Sequence, residues 1–327
     1  MYYTLCLALC LAVMFLVITG TSMLCMACLR YLDLRRVSPS MRASILFMIR
    51  ALPAVLAGIV AFGFALPAFL RFEPQSSGEF VGARLLALAS MGAFLLVAMT
   101  VRAVRILRAT MLLRKQWSAR GEKLTVEGVN LPVYCVEGSG SLMAVIGIFR
   151  PRIFVARRFV QALSGEELSA ALAHEMAHVR SFDNFKQFFL KITRPPHWLN
   201  IFRVTDAAWT NASEVAADEN ALTSGASALD LSSALVKAGR LGANSALCEA
   251  VAASHLLPTA TQSSFEVRVA HLQRLLEENS GPRAAVNISA IERHRTTLLW
   301  MFLLLAYAAS FNAVLPWIHE ALEFLVQ

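Results

Sequence analysis

The chain has 327 residues, 57% of them hydrophobic, with 30 basic against 22 acidic side chains and a net charge of +8. An ordinary soluble domain is about 45–50% apolar, so this excess, with a mean hydropathy of +0.57, excludes a simple water-soluble globule. The charge does not point to nucleic acid either, because no soluble stretch interleaves basic with aromatic residues on one face.

A bilayer core is crossed by about 20 apolar residues in a helix. Four segments qualify: about residues 4–29, 47–70, 82–102 and 296–318. The first has no basic side chain ahead of it, so it is expected to be a retained helix, not a cleaved signal peptide. The second is uncharged from residue 51 onward, with Arg50 placed to snorkel. Loop charge sets orientation. Arg30, Arg35, Arg36 and Arg42 follow the first span, six basic residues from Arg102 to Arg120 follow the third, and Arg293 and Arg295 precede the fourth. Between spans two and three, Arg71 and Arg84 are balanced by Glu73 and Glu79; after the fourth come Glu320 and Glu323. The expected topology puts both termini outside, segment 107–295 in the cytoplasm and 319–327 as a short outside tail. The basic loops would then lie against anionic lipid headgroups. Cys6, Cys10, Cys25 and Cys28 fall in the first span as small packing residues, Cys135 and Cys248 fall in a reducing compartment, and no disulfide is expected.

The 107–295 segment has the size of one compact domain. Its first part predicts strands over 131–136, 143–148 and 152–155, the last two forming a hairpin around Phe149-Arg150-Pro151, with Pro151 better suited to a sheet edge. Ser164-Gly165-Glu166-Glu167 is a capping-box start signal for a helix running through His174 and His178. Beyond it, Phe182, Phe185, Phe188, Phe189 and Leu190 continue an apolar face as far as Pro195-Pro196. Trp198, Phe202 and Trp209 are expected at the bilayer interface. A further helix is predicted over 211–224, ended by Gly225, and 226–288 is helix-rich.

One turn carries the chemistry. His174-Glu175-Met176-Ala177-His178 spells H-E-x-x-H, which puts two imidazoles on one helix face where they can close on one metal ion. Glu175 is then placed to take a proton from metal-bound water. A catalytic zinc site wants a third protein ligand. The best candidate is Glu214, about 40 residues downstream, at the expected start of a helix with Asp218 four residues later on the same face. One carboxylate could bind metal while the other orients a ligand histidine. Glu219 and Asp183 are alternatives, and Asp206 is a weaker one.

Taken together, His174-Glu175-x-x-His178 with Asp183, then His197-Trp198, then Glu214-x-x-x-Asp218, resemble the M56 family of integral-membrane zinc peptidases. Gly147-Ile148-Phe149-Arg150-Pro151-Arg152-Ile153 is similar to that family's Arg-Pro-Arg-Ile hairpin, and three spans, a protease domain and a fourth span match its layout. The resemblance implies a mainly α chain: four transmembrane helices plus an α+β zincin-like (gluzincin) metalloprotease domain in a bacterial cell membrane. It implies Zn²⁺ held by His174, His178 and Glu214, Glu175 as general base, and Asp218 as the partner of a ligand histidine. The related M48 family shares the motif, but its span arrangement fits less well and it lacks the hairpin. The M56 receptors carry a penicillin-binding sensor after the fourth span. This chain, ending at Gln327, is expected to lack one, so antibiotic sensing is not expected.

The implied activity is zinc-dependent hydrolysis of peptide bonds in a cytoplasmic or membrane-adjacent protein, with the hairpin's edge strand holding substrate extended. His197 and Arg268 are candidate stabilisers of the oxyanion, an interface or structural role being the simpler reading of each. The alternative is a non-enzymatic scaffold or signalling subunit using zinc structurally. An intact Glu175 favours the enzyme, because a structural site has no use for a base there.

Overall fold

The structure is a computed structural model that describes residues 2–74, 81–126, 128–137, 142–195, 202–243, 262–278, 307 and 310–325. Among these the chain is mainly helical, with one four-stranded sheet. It divides into two compact units, one of Met1–Leu32, Ile49–Met99 and Ala284–Gln327, the other of Asp33–Met48 and Thr100–Arg283.

Among the described residues three helices are long and apolar enough to cross a membrane: Tyr2–Leu29 (α1), Pro39–Phe72 and Ala83–Arg120 (α4). The second comprises α2 (Pro39–Gly58), a π-helical stretch (Ile59–Ala65) and α3 (Leu66–Phe72). The irregularity has a cause. Pro67 has no N–H to give the carbonyl four residues back, that of Gly63. That oxygen accepts the Tyr307 hydroxyl at 2.9 Å. In the first unit Ala57, Ala61, Ala65 and Ala68 pack with Leu5, Leu9 and Ala12, the small residues letting helices approach closely. Gly92 does the same on α4, where a Cβ would collide with the Leu11 carbonyl. The fourth expected span, 296–318, falls mostly outside the described residues; residues 310–325 are helical.

The third apolar segment, expected over 82–102, is the first half of a longer helix. α4 continues to Arg120 because residues 103–120 hold neither Gly nor Pro and are rich in Ala, Leu and Arg. It stops at Gly121.

In the second unit the strands are β1 (Glu122–Leu124), β2 (Val133–Val136), β3 (Met143–Ile146) and β4 (Arg152–Ala156), in the order β1-β2-β4-β3. β3 and β4 form the expected antiparallel hairpin, while β2 pairs with β4 in parallel. Thus β4 is central, contrary to the edge position suggested by Pro151. The proline lies one residue outside the strand, so it costs no ladder bond. Successive side chains alternate between faces. Val133, Val145, Ile153 and Val155 meet Leu168, Leu172, Met176 and Val179, while Phe154, Ala144 and Ile146 meet Leu113 and Trp117 of α4.

After the short α5 (Arg157–Ala162) come α6 (Gly165–Arg180), α7 (Asp183–Ile192), α8 (Arg203–Thr223), α9 (Ala228–Ala243) and α10 (Gln262–Glu278). α6 packs on α8 and α9, and α10 closes against both, around Ala170, Ala221, Leu231 and Leu272. α8 begins eight residues earlier than expected at 211, so Glu214 sits inside the helix, not at its start. Phe202 and Trp209 are not interfacial: each is only 3% exposed. The earlier start of α8 turns both inward; Trp198 lies outside the described residues.

Ser164 caps α6. Its hydroxyl accepts from the Glu167 N–H at 3.2 Å, and the Glu167 carboxylate accepts from the Ser164 N–H at 2.7 Å. Glu167 also ties α6 to α9 through Lys237 at 2.6 Å and Ser233 at 2.5 Å. Replacing Ser164 by Ala should cost about 1 kcal/mol in chemical denaturation. Lys237, then Ser233 and the Ser164 N–H, hold the Glu167 carboxyl down to about 2. A depressed carboxyl contributes stability that is full above its ordinary value of 4.5 and lost as the pH falls towards 2. Glu167→Gln should therefore be less stable than wild type near neutral pH, the gap closing across that window in paired denaturation curves.

Candidate metal centre

Two helices supply the ligand set. On α6, His174 and His178 stand one turn apart, and on α8 Glu214 and Asp218 do the same. Crossing them brings one ligand atom each from His174, His178 and Glu214 within 4.8 Å of one another. The two Nε2 atoms are 3.2 Å apart, His174 Nε2 is 3.6 Å from Glu214 Oε2, and His178 Nε2 is 3.7 Å from Glu214 Oε1.

Each histidine is oriented from behind. His174 Nδ1 lies 2.8 Å from Asp218 Oδ1, and His178 Nδ1 lies 2.8 Å from Asp183 Oδ2. A carboxylate on Nδ1 fixes the proton there and leaves Nε2 as the lone-pair donor facing the gap, the arrangement expected of metal-ligating histidines. The position of Asp183 depends on the turn between α6 and α7. Phe182 adopts φ 55° and ψ 32°, left-handed values unusual for a bulky side chain, and the chain reverses there so that Asp183 returns beneath His178.

Arg268 reaches in from α10. Its Nε and Nη2 donate to the two Asp218 oxygens at 2.8 and 2.7 Å, and its Nη1 donates to Glu214 Oε2 at 2.8 Å. Nη2 also stands 3.5 Å from both ring nitrogens of His174. Burial works against the Glu214 and Asp218 carboxylates, yet Arg268 and the histidines hold both below the usual carboxylate range. Burial and the Arg268 charge depress the His174 imidazole, but Asp218 and Glu214 outweigh them and lift it to about 9. His178 is raised too: burial opposes this, and Asp183 and Glu214 overcome it.

These residues fit a divalent cation on two counts. Bonds of about 2.0–2.2 Å at tetrahedral angles put ligand atoms roughly 3.3–3.6 Å apart; the two Nε2 atoms stand 3.2 Å apart, and each has one of the two Glu214 oxygens at 3.6 or 3.7 Å. The charges agree. With both imidazoles neutral, as metal ligands must be, the carboxylates of Glu175, Asp183, Glu214 and Asp218 outnumber the cations Arg268 and Lys186 by two, a deficit one divalent ion would meet. Protons on the histidines would compete for the same lone pairs, so metal binding should strengthen as pH rises.

Glu175 is half-buried on α6, and its carboxylate acts electrostatically on both His178 and Arg268. The other sequence candidates are elsewhere. Glu219 pairs with His271 at 3.1 Å and Asp206 with Arg194 at 3.6 Å, while His197 lies outside the described residues. Asp183, weighed as a ligand, instead holds His178. Two neighbours gave no signal in the sequence: Lys186, 3.4 Å from Asp183, and Asn184, whose amide donates to the Val145 and Gly147 carbonyls at 3.1 and 3.0 Å. Asn184 thereby joins β3 and the turn after it to the helix that holds Asp183, and it occupies the Val145 carbonyl of the edge strand expected to pair with substrate.

No curated protein matches the chain. A family model described as BlaR1 peptidase M56 matches residues 75–257, a stretch that carries α6, α7 and α8 with both histidines, Glu214, Asp183 and Asp218, and stops short of Arg268. That match spans more than half of the sequence, and the chain belongs to the BlaR1 peptidase M56 family.

Proposed function

We propose that the protein is a membrane-embedded zinc metalloendopeptidase that cuts a cytoplasmic or membrane-adjacent protein, with the domain over 107–295 facing the cytoplasm and both termini outside. The observation that carries this reading is the convergence of His174, His178 and Glu214 within 4.8 Å, with a carboxylate behind each histidine.

His174 and His178 would hold the ion through Nε2, and Glu214 through the oxygen that Arg268 leaves open. Two nitrogens and one oxygen from the protein match a catalytic zinc set, which keeps its fourth position for water, rather than a structural one. Zinc, when bound, supplies a Lewis acid that polarises a peptide carbonyl and lowers the pKa of water to about 7. The half-buried Glu175 carboxylate takes the proton from the attacking water and can hand it to the leaving amide nitrogen. Asp218 and Asp183 keep the Nδ1 protons in place, so neither imidazole turns away during the cycle.

Purified full-length protein should contain about one zinc per chain. Removing it with a chelator should abolish cleavage of membrane-protein fragments, and adding zinc back should restore it. Metal content well below one, or cleavage that survives chelation, would overturn the reading.

A further inference from the structure

α7 turns its apolar side the wrong way for a helix that packs on its own domain. At 3.6 residues per turn, Phe182, Phe185, Phe188, Phe189 and Ile192 share one side, while the buried Asp183 and Leu190 lie on the other. The inward side thus carries the carboxylate that holds His178, and the outward side is aromatic. Phe185 is 42% exposed and Phe182 69% exposed, the latter kept in a left-handed conformation that a glycine would adopt without strain. The Asn184 bonds to Val145 and Gly147 bring the β3–β4 turn alongside, and that turn ends in Phe149, 85% exposed, beside Arg150.

The neighbours of this face indicate what covers it. Phe189 meets Phe47 of α2 edge to face at 6.2 Å between ring centres, and Lys186 lies 6.0 Å over the same ring. At the other end of α7, Arg102 of α4 donates to the carbonyls of Ile192 and Arg194. α2 and α4 are two of the helices able to cross a membrane. An aromatic face flanked by the exposed Arg150 and Arg194 is complementary to acyl chains beneath anionic headgroups.

We propose that α7 is an interfacial helix whose Phe182–Phe185 face, with Phe149 of the adjoining turn, is seated in the headgroup zone of the bilayer that the chain crosses. This rests on reading the chain as membrane-embedded, and it refines the proposed substrate to segments lying at the lipid surface, because Asp183 of the same helix sits against His178. The seat also steadies the turn that presents Asp183 to His178.

The test uses the full chain in nanodiscs of phosphatidylethanolamine and phosphatidylglycerol, with a benzoyl-phenylalanine photocrosslinker replacing Phe185 or, separately, Phe149. Glu166, exposed at the far end of α6, is the control position. Roughly tenfold more lipid adduct at 185 and 149 than at 166 is expected on irradiation. Crosslinks to a second protein chain, or lipid labelling no greater than at 166, would overturn the proposal. Two positions on separate elements guard against one replacement disturbing the fold. The readout needs no proteolysis, so it stands or falls apart from the peptidase assignment.

Discussion

Glu175→Gln is expected to keep its metal and lose proteolysis by a factor of about 10²–10⁴. The amide is nearly isosteric with the carboxylate but cannot accept a proton at neutral pH. The atoms that could hold the ion belong to His174, His178 and Glu214, and the carboxylates against the histidines' Nδ1 atoms are Asp218 and Asp183. The substitution touches neither group. Metal content should therefore stay at wild-type level by elemental analysis, while turnover of a membrane-protein substrate collapses. Comparing membrane-proteome fragments from cells carrying wild-type and Glu175→Gln protein would also show which proteins are cut. Cleavage by the variant at the wild-type rate would remove Glu175 from the mechanism. Loss of metal along with activity would mean that Glu175 helps to hold the ion, and the donor set would need revision.

Much of this centre was legible because it rests on local rules. An i, i+4 histidine pair on a helix needs only 3.6 residues per turn, and the Ser164–Glu167 box that starts that helix is a four-residue pattern realised with both of its hydrogen bonds. Glu214 and Asp218 could be paired by the same spacing. What the sequence left open was the third dimension. Asp183 is five residues from His178, a separation that fits either a ligand or a bystander. Only the left-handed turn at Phe182 brings it to Nδ1, and phenylalanine gives no hint of such a turn. Glu219 and Asp206 had the right chemistry and the wrong partners, His271 and Arg194. The sequence puts the start of α8 eight residues late because its N-cap position is Phe202, which carries no cap signal, and Trp209 reads as interfacial when it is core. The length of α4 was missed for the opposite reason: hydropathy ends near residue 102, helix propensity does not.

Arg268→Met should destabilise the metal-free protein by about 3–5 kcal/mol, the cost of leaving buried charge without its partner. Arg268 is 8% exposed and makes three short bonds to carboxylates that are themselves buried, Asp218 at 0% and Glu214 at 6% exposure. Methionine fills much of the volume, so the loss reports charge and hydrogen bonding more than a cavity. Arg268→Lys keeps the charge but cannot span both Asp218 oxygens and Glu214 together, and should lose about 1–2 kcal/mol. Bound zinc supplies part of the missing positive charge, so the Arg268→Met deficit should shrink in the metal-loaded protein. Urea unfolding of the detergent-solubilised chain, with and without zinc, measures all four differences. An arginine whose task was to stabilise charge on the reacting carbonyl would behave otherwise. Its removal would leave metal-free stability within about 0.5 kcal/mol of wild type and lower kcat alone. The geometry supports the first outcome, because the guanidinium is already committed to the two carboxylates of α8. It would make α10, which lies beyond the matched residues 75–257, a working part of the metal centre.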